Sequence, residues 1–345
     1  MLGAVAFAAT LVLLLGFASL ISQGAGSAPR SPALAASPSR SAAPSVAPSA
    51  SPSAIPTSFG ATPPASPAAS GLAPGASPSE IPDAVLVGAG DIADCTLDDD
   101  VKTAALVAAI PGTVFTAGDN AYENGSPDQF RDCYDPTWGA FKDRTRPAAG
   151  NHDWETKDLA GYFGYFGEAA RPGGVSWYSY DLGTWHVVVL DSDCAAVGGC
   201  EATSPQGRWL AADLAASDAT CTLAIWHHPR FSSGFHGNIA EVAPFWEALY
   251  AAGADVVING HDHDYERFAP QTPDAKIDQA HGIREFVVGT GGAALRPFAV
   301  GAANSQLRLA TSHGIIRFDL RKDSYDWTFM PTTGSVTDSG RAPCH

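Results

Sequence analysis

The sequence has little charge at its start and few basic residues throughout. Residues 1–82 carry only three charged side chains, Arg30, Arg40 and Glu80. Subtracting these from the 20 basic and 36 acidic residues of the chain leaves 18 and 35 in residues 83–345, a net charge of −17. A protein that binds nucleic acid through its phosphates presents a basic surface. We therefore expect no nucleic-acid partner and attribute the acidic surface to solubility.

No cysteine occurs before Cys95, and residues 1–21 contain no charged side chain. This apolar stretch is long for the core of a signal peptide and just long enough to span a bilayer. Because no cysteine lies near the end of this stretch, a lipid anchor there is excluded. We predict a signal peptide or N-terminal anchor over residues 1–25, with cleavage and retention both left open. The protein is then secreted or extracytoplasmic, and it contacts a membrane only through an uncleaved N-terminal segment.

Residues 26–82 are mostly Ser, Ala and Pro, as in SPSRSAAPSVAPSASPSAIP. Such a segment cannot bury enough apolar surface to offset the entropy lost on ordering, so we predict a disordered linker. From residue 83 onward apolar segments alternate with polar ones, and we expect one folded domain over 83–345. No repeat of 20–50 residues is visible, which excludes a solenoid.

All six cysteines lie in the expected folded domain. An even number in an exported protein suggests disulfides, although six cysteines allow 15 pairings. Cys194 and Cys200 flank a short glycine-containing loop and are the most plausible pair on proximity. The pairs Cys95–Cys133 and Cys221–Cys344 then remain, and the second would fix the C-terminus to a strand.

Short apolar strands alternate with helical segments in the first part of the domain, and hairpin-like strands follow. Alternation of strands and helices implies parallel pairing, and the later hairpins imply mixed sheets. About eleven strands fit a sandwich of two sheets flanked by helices. Five of the apolar strands end in polar residues, and these endings are GD, GDN, GNHD, HH and GHDH.

The five endings point to one ligand site, because ligands of α/β sheets bind beyond the carboxyl ends of the strands. Asp, Asn, His and Tyr supply mixed oxygen and nitrogen donors, which suit iron, manganese or zinc. The donors exceed what one ion needs. A pair of ions bridged by one carboxylate accounts for the surplus.

The ordered motifs GDIADC, GDNAY, GNHD, WHHP and GHDH resemble those of the calcineurin-like metallophosphoesterases. The tyrosine of GDNAY makes the chain similar to the purple acid phosphatase branch. The resemblance implies an α/β fold, a four-layer α/β/β/α sandwich of two mixed sheets, with residues 83–345 as the catalytic domain. It also implies a ferric ion at the tyrosine site and a divalent ion, Fe, Zn or Mn, beside it.

The resemblance further implies a role for individual residues. Asp91, Tyr122 and His263 would bind the first metal, and Asp119 would bridge the two. Asn151, His227 and His261 would complete the second site, with the neighbouring His228 as an alternative to His227. His152 and His236 resemble the histidines that contact phosphate and protonate the leaving group.

The implied function is an exported phosphatase that hydrolyses small phosphomonoesters by attack of metal-bound hydroxide. One alternative is a metal-dependent phosphodiesterase, because the same centre can attack diesters. A second alternative is a tethered surface protein whose metal site is vestigial. The sequence leaves the oligomeric state open.

Overall fold

A computed structural model describes residues 82–335 and 338–345. The predicted segment 1–25 and the predicted linker up to residue 81 lie outside the described residues. Within the described part of the chain, no helix has the length and apolar character needed to cross a membrane.

The described residues form 15 strands and six α-helices, joined by short 3-10 and π turns. The strands are β1 (Ala84–Ala89), β2 (Ala93–Asp94), β3 (Thr113–Ala117), β4 (Ala121–Tyr122), β5 (Thr145–Ala148), β6 (Tyr178–Leu182), β7 (Trp185–Val189), β8 (Cys221–Ile225), β9 (Val256–Asn259), β10 (Tyr265–Phe268), β11 (Arg284–Val288), β12 (Ser305–Leu309), β13 (Gly314–Leu320), β14 (Ser324–Pro331) and β15 (Asp338–Pro343). The helices are α1 (Asp99–Ala108), α2 (Pro127–Gln129), α3 (Asn151–Glu155), α4 (Ala160–Phe166), α5 (Pro205–Ala216) and α6 (Ala243–Ala251).

Two mixed sheets make up the centre of the fold. The first has the strand order β15-β14-β13-β1-β3-β5, and the second has the order β12-β10-β11-β9-β8-β7-β6. In the first sheet β1, β3 and β5 are parallel, and in the second β7, β8, β9 and β11 are parallel. The short strands β2 and β4 pair separately. The prediction of about eleven strands was too low, because strands such as β10 and β12 carry too many polar residues to stand out.

Apolar side chains are buried on both faces of the second sheet, which explains the near-continuous apolar runs of its strands. Along β7, Val187 and Val189 belong to the core between the sheets, whereas Val188 faces the core beneath α5 and α6. Helix α1 packs against β13 of the first sheet, and its Val107 is buried. The layers are therefore helix, sheet, sheet and helix, and the predicted four-layer α/β/β/α sandwich is confirmed.

Local signals explain where α5 and α6 begin. The side chain of Ser204 accepts a hydrogen bond from the backbone N–H of Gly207, and Pro205 occupies the first turn of α5. A capping serine followed by proline is a strong start signal, because proline lacks the N–H that would otherwise go unpaired there. Helix α6 also has a proline in its first turn and buries Phe245, Trp246 and Leu249.

Three disulfides join the cysteines in the pairs expected from the sequence, Cys95–Cys133, Cys194–Cys200 and Cys221–Cys344. The pair Cys221–Cys344 connects the start of β8 to the C-terminal segment, 123 residues away in sequence. Cys194–Cys200 closes a loop after β7, across only 6 residues.

We predict that the loss of Cys221–Cys344 destabilises the fold more than the loss of Cys194–Cys200. The reason is that a long closed loop restricts the unfolded chain more than a short one. For separations of 123 and 6 residues, loop entropy gives about 5 and about 2 kcal/mol of stabilisation. Denaturant unfolding of the double alanine variants at each pair measures the difference. Equal losses would show that chain entropy does not set the order.

Candidate metal centre

The predicted ligands lie where strands end, at one edge of the sandwich. Asp91 and Asp119 follow β1 and β3, and Asn151 follows β5 as the first residue of α3. His227 follows β8, and His261 and His263 follow β9. Because β1, β3 and β5 are parallel, and β8 and β9 are parallel, their carboxyl ends share an edge of each sheet. The structure brings all seven predicted metal-ligating residues together through the contacts described below.

The backbone is bent sharply at three of these residues. Asp91, Asp119 and His261 have φ angles of 58°, 49° and 69°, in the left-handed region that non-glycine residues seldom occupy. Such conformations cost free energy and concentrate at functional sites. They turn each side chain back into the cleft at the point where its strand ends.

Glycines make room for the ligands to approach one another. A Cβ atom on Gly118, which has a φ of +86°, would lie 2.4 Å from Nδ1 of His227. A Cβ on Gly150 would lie 2.3 Å from Oδ1 of Asp119. The glycines of GDNAY and GNHD are therefore required by close packing around the donor atoms.

One group of donor atoms surrounds the phenol of Tyr122, and we name it the first donor group: Asp91, Asp119, Tyr122 and His263. The Tyr122 hydroxyl donates towards Oδ1 of Asp91 at 2.8 Å and Oδ2 of Asp119 at 3.0 Å. Nε2 of His263 lies 3.3 Å from the same hydroxyl and 3.3 Å from Oδ1 of Asp91. Nδ1 of His263 faces the carbonyl oxygen of Ala294 at 2.8 Å, which orients the ring.

A second donor group surrounds His227 and contains Asp119, Asn151, His227 and His261. Nε2 of His227 lies 3.2 Å from Oδ2 of Asp119, 3.1 Å from Oδ1 of Asn151 and 3.3 Å from Nδ1 of His261. Nδ1 of His227 faces the carbonyl oxygen of Ala117 at 2.8 Å. A metal-binding histidine commonly uses one ring nitrogen for the ion and hydrogen-bonds the other to the protein.

Asp119 belongs to both donor groups. Its Oδ2 atom lies near both the Tyr122 hydroxyl and Nε2 of His227, and its Oδ1 accepts a hydrogen bond from the backbone N–H of His152 at 2.8 Å. Oxygen and nitrogen atoms of Asp91, Asp119 and His227 all lie within 4.8 Å of one another. A buried carboxylate between two sets of donors is the arrangement that a bridging ligand requires.

The electrostatics of the centre favour bound cations. Burial alone would raise the pKa of Asp119, but His227 and His152 hold it well below its usual range. Burial would lower the pKa of His227, but Asp119 raises it to about 10. Burial together with Asp119 and Asp91 raises the pKa of Tyr122 well above its ordinary value. The positive charge of protonated His227 thus offsets the charge of the buried carboxylates, and the Tyr122 hydroxyl donates hydrogen bonds to them. Bound metal cations would also offset that negative charge.

The two predicted catalytic histidines border the same centre. The ring of His152 lies 4.6 Å from the Tyr122 ring, and its Nε2 lies 3.9 Å from Oδ2 of Asp119. The ring of His236 lies 4.1 Å from the His261 ring, on the side of the second donor group. Each histidine is close enough to reach a ligand held by the donor atoms.

The backbone at GHDH is not extended, because β9 ends at Asn259 and residues 261–264 form a bend. His261 instead uses its left-handed backbone to face His227, while His263 faces Asp91. The two imidazoles therefore enter different donor groups through a turn.

Adjacent histidines in WHHP left the choice of ligand open, and the structure separates their environments. His227 is fully buried between Asp119 and Asn151. Nδ1 of His228 lies 2.8 Å from the hydroxyl of Ser192, and its ring lies 4.3 Å from the His261 ring. Burial and the neighbouring His227 lower the pKa of His228 to about 3, so its ring is neutral.

Sequence reasoning missed Asp153, which organises two strand ends. Its buried carboxylate accepts hydrogen bonds from the backbone N–H of Asn120 and Gly150 and from the Asn120 side chain. These bonds tie the GDN turn to the GNHD turn. The signal was present, because Asp153 is the last residue of GNHD, but its role depends on contacts with a different strand.

A sixth polar strand end was also missed, in the segment Asp191–Ser192–Asp193 after β7. The carboxylate of Asp191 accepts from the indole N–H of Trp154 at 3.0 Å and from the Ser176 hydroxyl. Burial raises the pKa of Asp193 to about 7, with a further contribution from Asp191. The search for polar residues after apolar strands would have found this segment, since it directly follows the apolar run of β7.

The four histidines that are not near the centre have other partners, and the rings of His281 and His345 lie 5.8 Å apart. Nε2 of His186 lies 2.8 Å from Asp213, and its Nδ1 lies 3.3 Å from Asp181. His313 faces the carbonyl oxygen of Ala293. Neither ring belongs to the donor groups.

Comparison with known proteins identifies relatives for this chain. The model of the calcineurin-like phosphoesterase family matches residues 71–265. Purple acid phosphatase 15 of Arabidopsis thaliana is 31% identical over 175 residues, which cover 45% of this chain and 32% of that protein. The chain therefore matches about a third of that relative's length. The resemblance predicted from the five motifs is confirmed.

Solved structures share the fold. A purple acid phosphatase from yellow lupin, Lupinus luteus, superposes with a TM-score of 0.59 at 19% identity, covering 75% of this chain and 53% of that one. GAP50, described as the anchor in the inner membrane complex of Plasmodium, also gives 0.59 at 13% identity, covering 76% and 89%. At these identities the likeness establishes the fold alone.

Proposed function

The chain belongs to the calcineurin-like phosphoesterase family, and on that premise we propose that it is a purple acid phosphatase-like enzyme that hydrolyses phosphomonoesters at a pair of metal ions. The observation that carries the proposal is the position of Asp119 between two groups of metal-type donors. A fold shared with a protein described as an anchor does not require catalysis. The complete set of donors at the strand ends is what supports an enzyme over a vestigial site.

We assign one cation to each donor group. Asp91, Tyr122 and His263 would hold the first ion, Asn151, His227 and His261 the second, and Asp119 both. The phenol of Tyr122 suits a ferric ion, because a strongly charged cation would replace the proton that the two carboxylates now keep on the phenol. The imidazole and amide donors around His227 suit a divalent ion, Fe, Zn or Mn.

When bound, the two cations would lower the pKa of a water molecule and neutralise the phosphoryl oxygens. The chain's own residues supply position and protons. Asp119 holds the two donor groups at a fixed separation, and Tyr122 and His227 fix its carboxylate on either side. The backbone N–H of His152 fixes the other oxygen of the same carboxylate.

His152 and His236 would contact the phosphate and handle the leaving group. Their rings lie next to Tyr122 and His261 respectively, so they border both donor groups. A protonated imidazole at either place can donate a hydrogen bond to a phosphoryl oxygen, and one of them can protonate the departing alkoxide. Burial lowers the pKa of His236, so an anionic substrate would have to stabilise its protonated form.

We also propose that the enzyme acts outside the cytoplasm. Three disulfides and a lack of free cysteine in the described residues fit an oxidising compartment. The uncharged apolar stretch 1–21 would direct export, and residues 26–82 would act as a linker to the catalytic domain at 83–345.

The proposed substrate class is tested with two nitrophenyl compounds. The full-length protein loaded with iron and a divalent metal should release p-nitrophenol from p-nitrophenyl phosphate faster than from bis(p-nitrophenyl) phosphate, because two donor groups can share the oxygens of a dianion. Values of kcat/KM for both substrates provide the measurement. A preference for the diester would favour the phosphodiesterase alternative, and no turnover of either would favour the vestigial site.

The assignment of His227 is tested against its neighbour. We expect His227→Ala to lower metal content from two ions towards one per chain and to lower kcat by roughly a hundredfold or more. His228→Ala should keep both ions, because Nδ1 of His228 is hydrogen-bonded to Ser192. Elemental analysis and phosphate release provide the readouts, with His281→Ala as a control. The reverse pattern would move the ligand to His228.

The ferric assignment predicts colour. The loaded protein should show a broad visible band from charge transfer between phenolate and iron, and Tyr122→Phe should abolish that band. Absorption spectra and iron content of both proteins are the measurements. An active wild-type protein with full metal content and no visible band would contradict iron at the Tyr122 site.

A further inference from the structure

The rim of the centre carries an arginine that the donor groups do not use. Arg296 lies in the segment after β11, and its Nη1 is 3.0 Å from Nε2 of His236. The ring of His236 in turn lies 4.1 Å from the His261 ring of the second donor group. The ring of His236 therefore lies between the guanidinium of Arg296 and the predicted metal ligand His261.

The side chain of Arg296 has few partners for its charge. Among the described residues its one hydrogen-bond partner is His236, and no carboxylate lies within ion-pair distance. Arg131, Arg267 and Arg317 all pair with aspartates. An arginine has five N–H donors, so Arg296 keeps most of them free in a domain of net charge −17.

Two loops fix the backbone that carries this arginine. The backbone N–H of Arg296 donates to the carbonyl oxygen of His263 at 3.0 Å, and the carbonyl of Ala294 faces the ring of His263 at 2.8 Å. Further along, the N–H groups of Ala299 and Val300 donate to the carbonyl oxygen of Ser233. The segment is thus attached both to a predicted metal ligand and to the loop that presents His236.

The loop of His236 is itself anchored by buried acids. The backbone N–H of His236 donates to Oδ1 of Asp262 at 2.8 Å. The carboxylate of Glu266 accepts from the backbone and hydroxyl of Ser233 at 2.7 and 2.6 Å. The guanidinium of Arg296 also lies 5.8 Å from the centre of the exposed Phe235 ring, which restricts its position further. The backbone that carries Arg296 is therefore anchored, and its guanidinium has open donors with which to bind an anion.

We propose that Arg296 binds a second anionic group of the substrate, next to the phosphate that is hydrolysed. The favoured substrates are then phosphoanhydrides, or phosphate esters whose leaving group carries another phosphate or a carboxylate. This inference rests on the proposed phosphatase function and adds a specificity-determining residue to it. Arg296 would bind the additional group through charge-assisted hydrogen bonds from the edge of the guanidinium that does not face His236.

The test compares two nucleotides that differ by one phosphoryl group. Phosphate release from AMP and ADP is measured with the metal-loaded full-length protein and with Arg296→Ala. We expect the ratio of kcat/KM for ADP to that for AMP to fall about tenfold in the variant, since a hydrogen bond to a charged group is lost only with ADP. Arg296→Lys should give an intermediate ratio, because it keeps the charge and loses the planar pair of donors.

A matched control is Arg308→Ala. Arg308 lies in β12, and its Nη1 contacts the carbonyl oxygen of Val300 on the same segment. This variant should leave the ADP to AMP ratio unchanged. Thermal unfolding of each variant checks that the fold is retained.

Two outcomes would overturn the proposal. An unchanged ratio in Arg296→Ala would show that no second anion is bound there. An equal fall of kcat with both nucleotides would show that Arg296 only positions His236. If neither nucleotide is hydrolysed, the two are compared as inhibitors of p-nitrophenyl phosphate hydrolysis. The ratio of their inhibition constants then replaces the ratio of kcat/KM values. Failure of the wild-type protein to hydrolyse p-nitrophenyl phosphate would refute the phosphatase function itself, separately from the role of Arg296.

Discussion

The carboxylate of Asp119 is the contact on which the rest of the centre depends. It is almost completely buried, and it receives the Tyr122 hydroxyl on one side and His227 on the other. An unpaired buried carboxylate would be strongly unfavourable, so its partners must be present together. Those partners come from β4 and from the end of β8, which belong to different parts of the sandwich. One carboxylate thereby connects the two sheets at the edge where the proposed chemistry would occur.

Buried acids of the surrounding loops extend this arrangement. Asp153 joins the turns after β3 and β5, Asp191 holds Trp154 and Ser176, and Asp262 fixes the loop of His236. Each of them accepts hydrogen bonds from groups that strand ends and loops would otherwise leave unpaired. Part of the negative charge of the domain is therefore structural. These acidic residues shape the cleft. Composition alone had suggested that the negative charge lies on the surface.

The sandwich explains how so many donors reach one place. Parallel strands end in the same direction, so each strand that ends at this edge can contribute one or two polar side chains. Left-handed backbone at Asp91, Asp119 and His261 turns those side chains inward immediately after the strand. Glycines beside them permit the close approach of ligands from neighbouring strands. The rigid sheets hold the donors, and the loops bearing His236 and Arg296 form the rim.

The sequence alone determined the fold class, the family and the residues that meet at the centre. These properties are encoded locally. Apolar strands are recognised from their composition, and the polar residues that follow them are recognised as candidate ligands because ligands bind beyond the carboxyl ends of strands. The order of the five motifs then distinguishes this family from a chance grouping. The same holds for the disulfide Cys194–Cys200, whose partners are near in sequence.

Tertiary structure decided which of several similar residues occupy each position. His227 and His228 are neighbours in sequence, yet only His227 lies between Asp119 and Asn151. The bend at 261–264 directs His261 towards His227 and His263 towards Asp91. Arg296 is unremarkable in the sequence and becomes notable because its loop packs against His263 and His236. Such distinctions depend on contacts between segments far apart in the chain, which no local pattern of residues records.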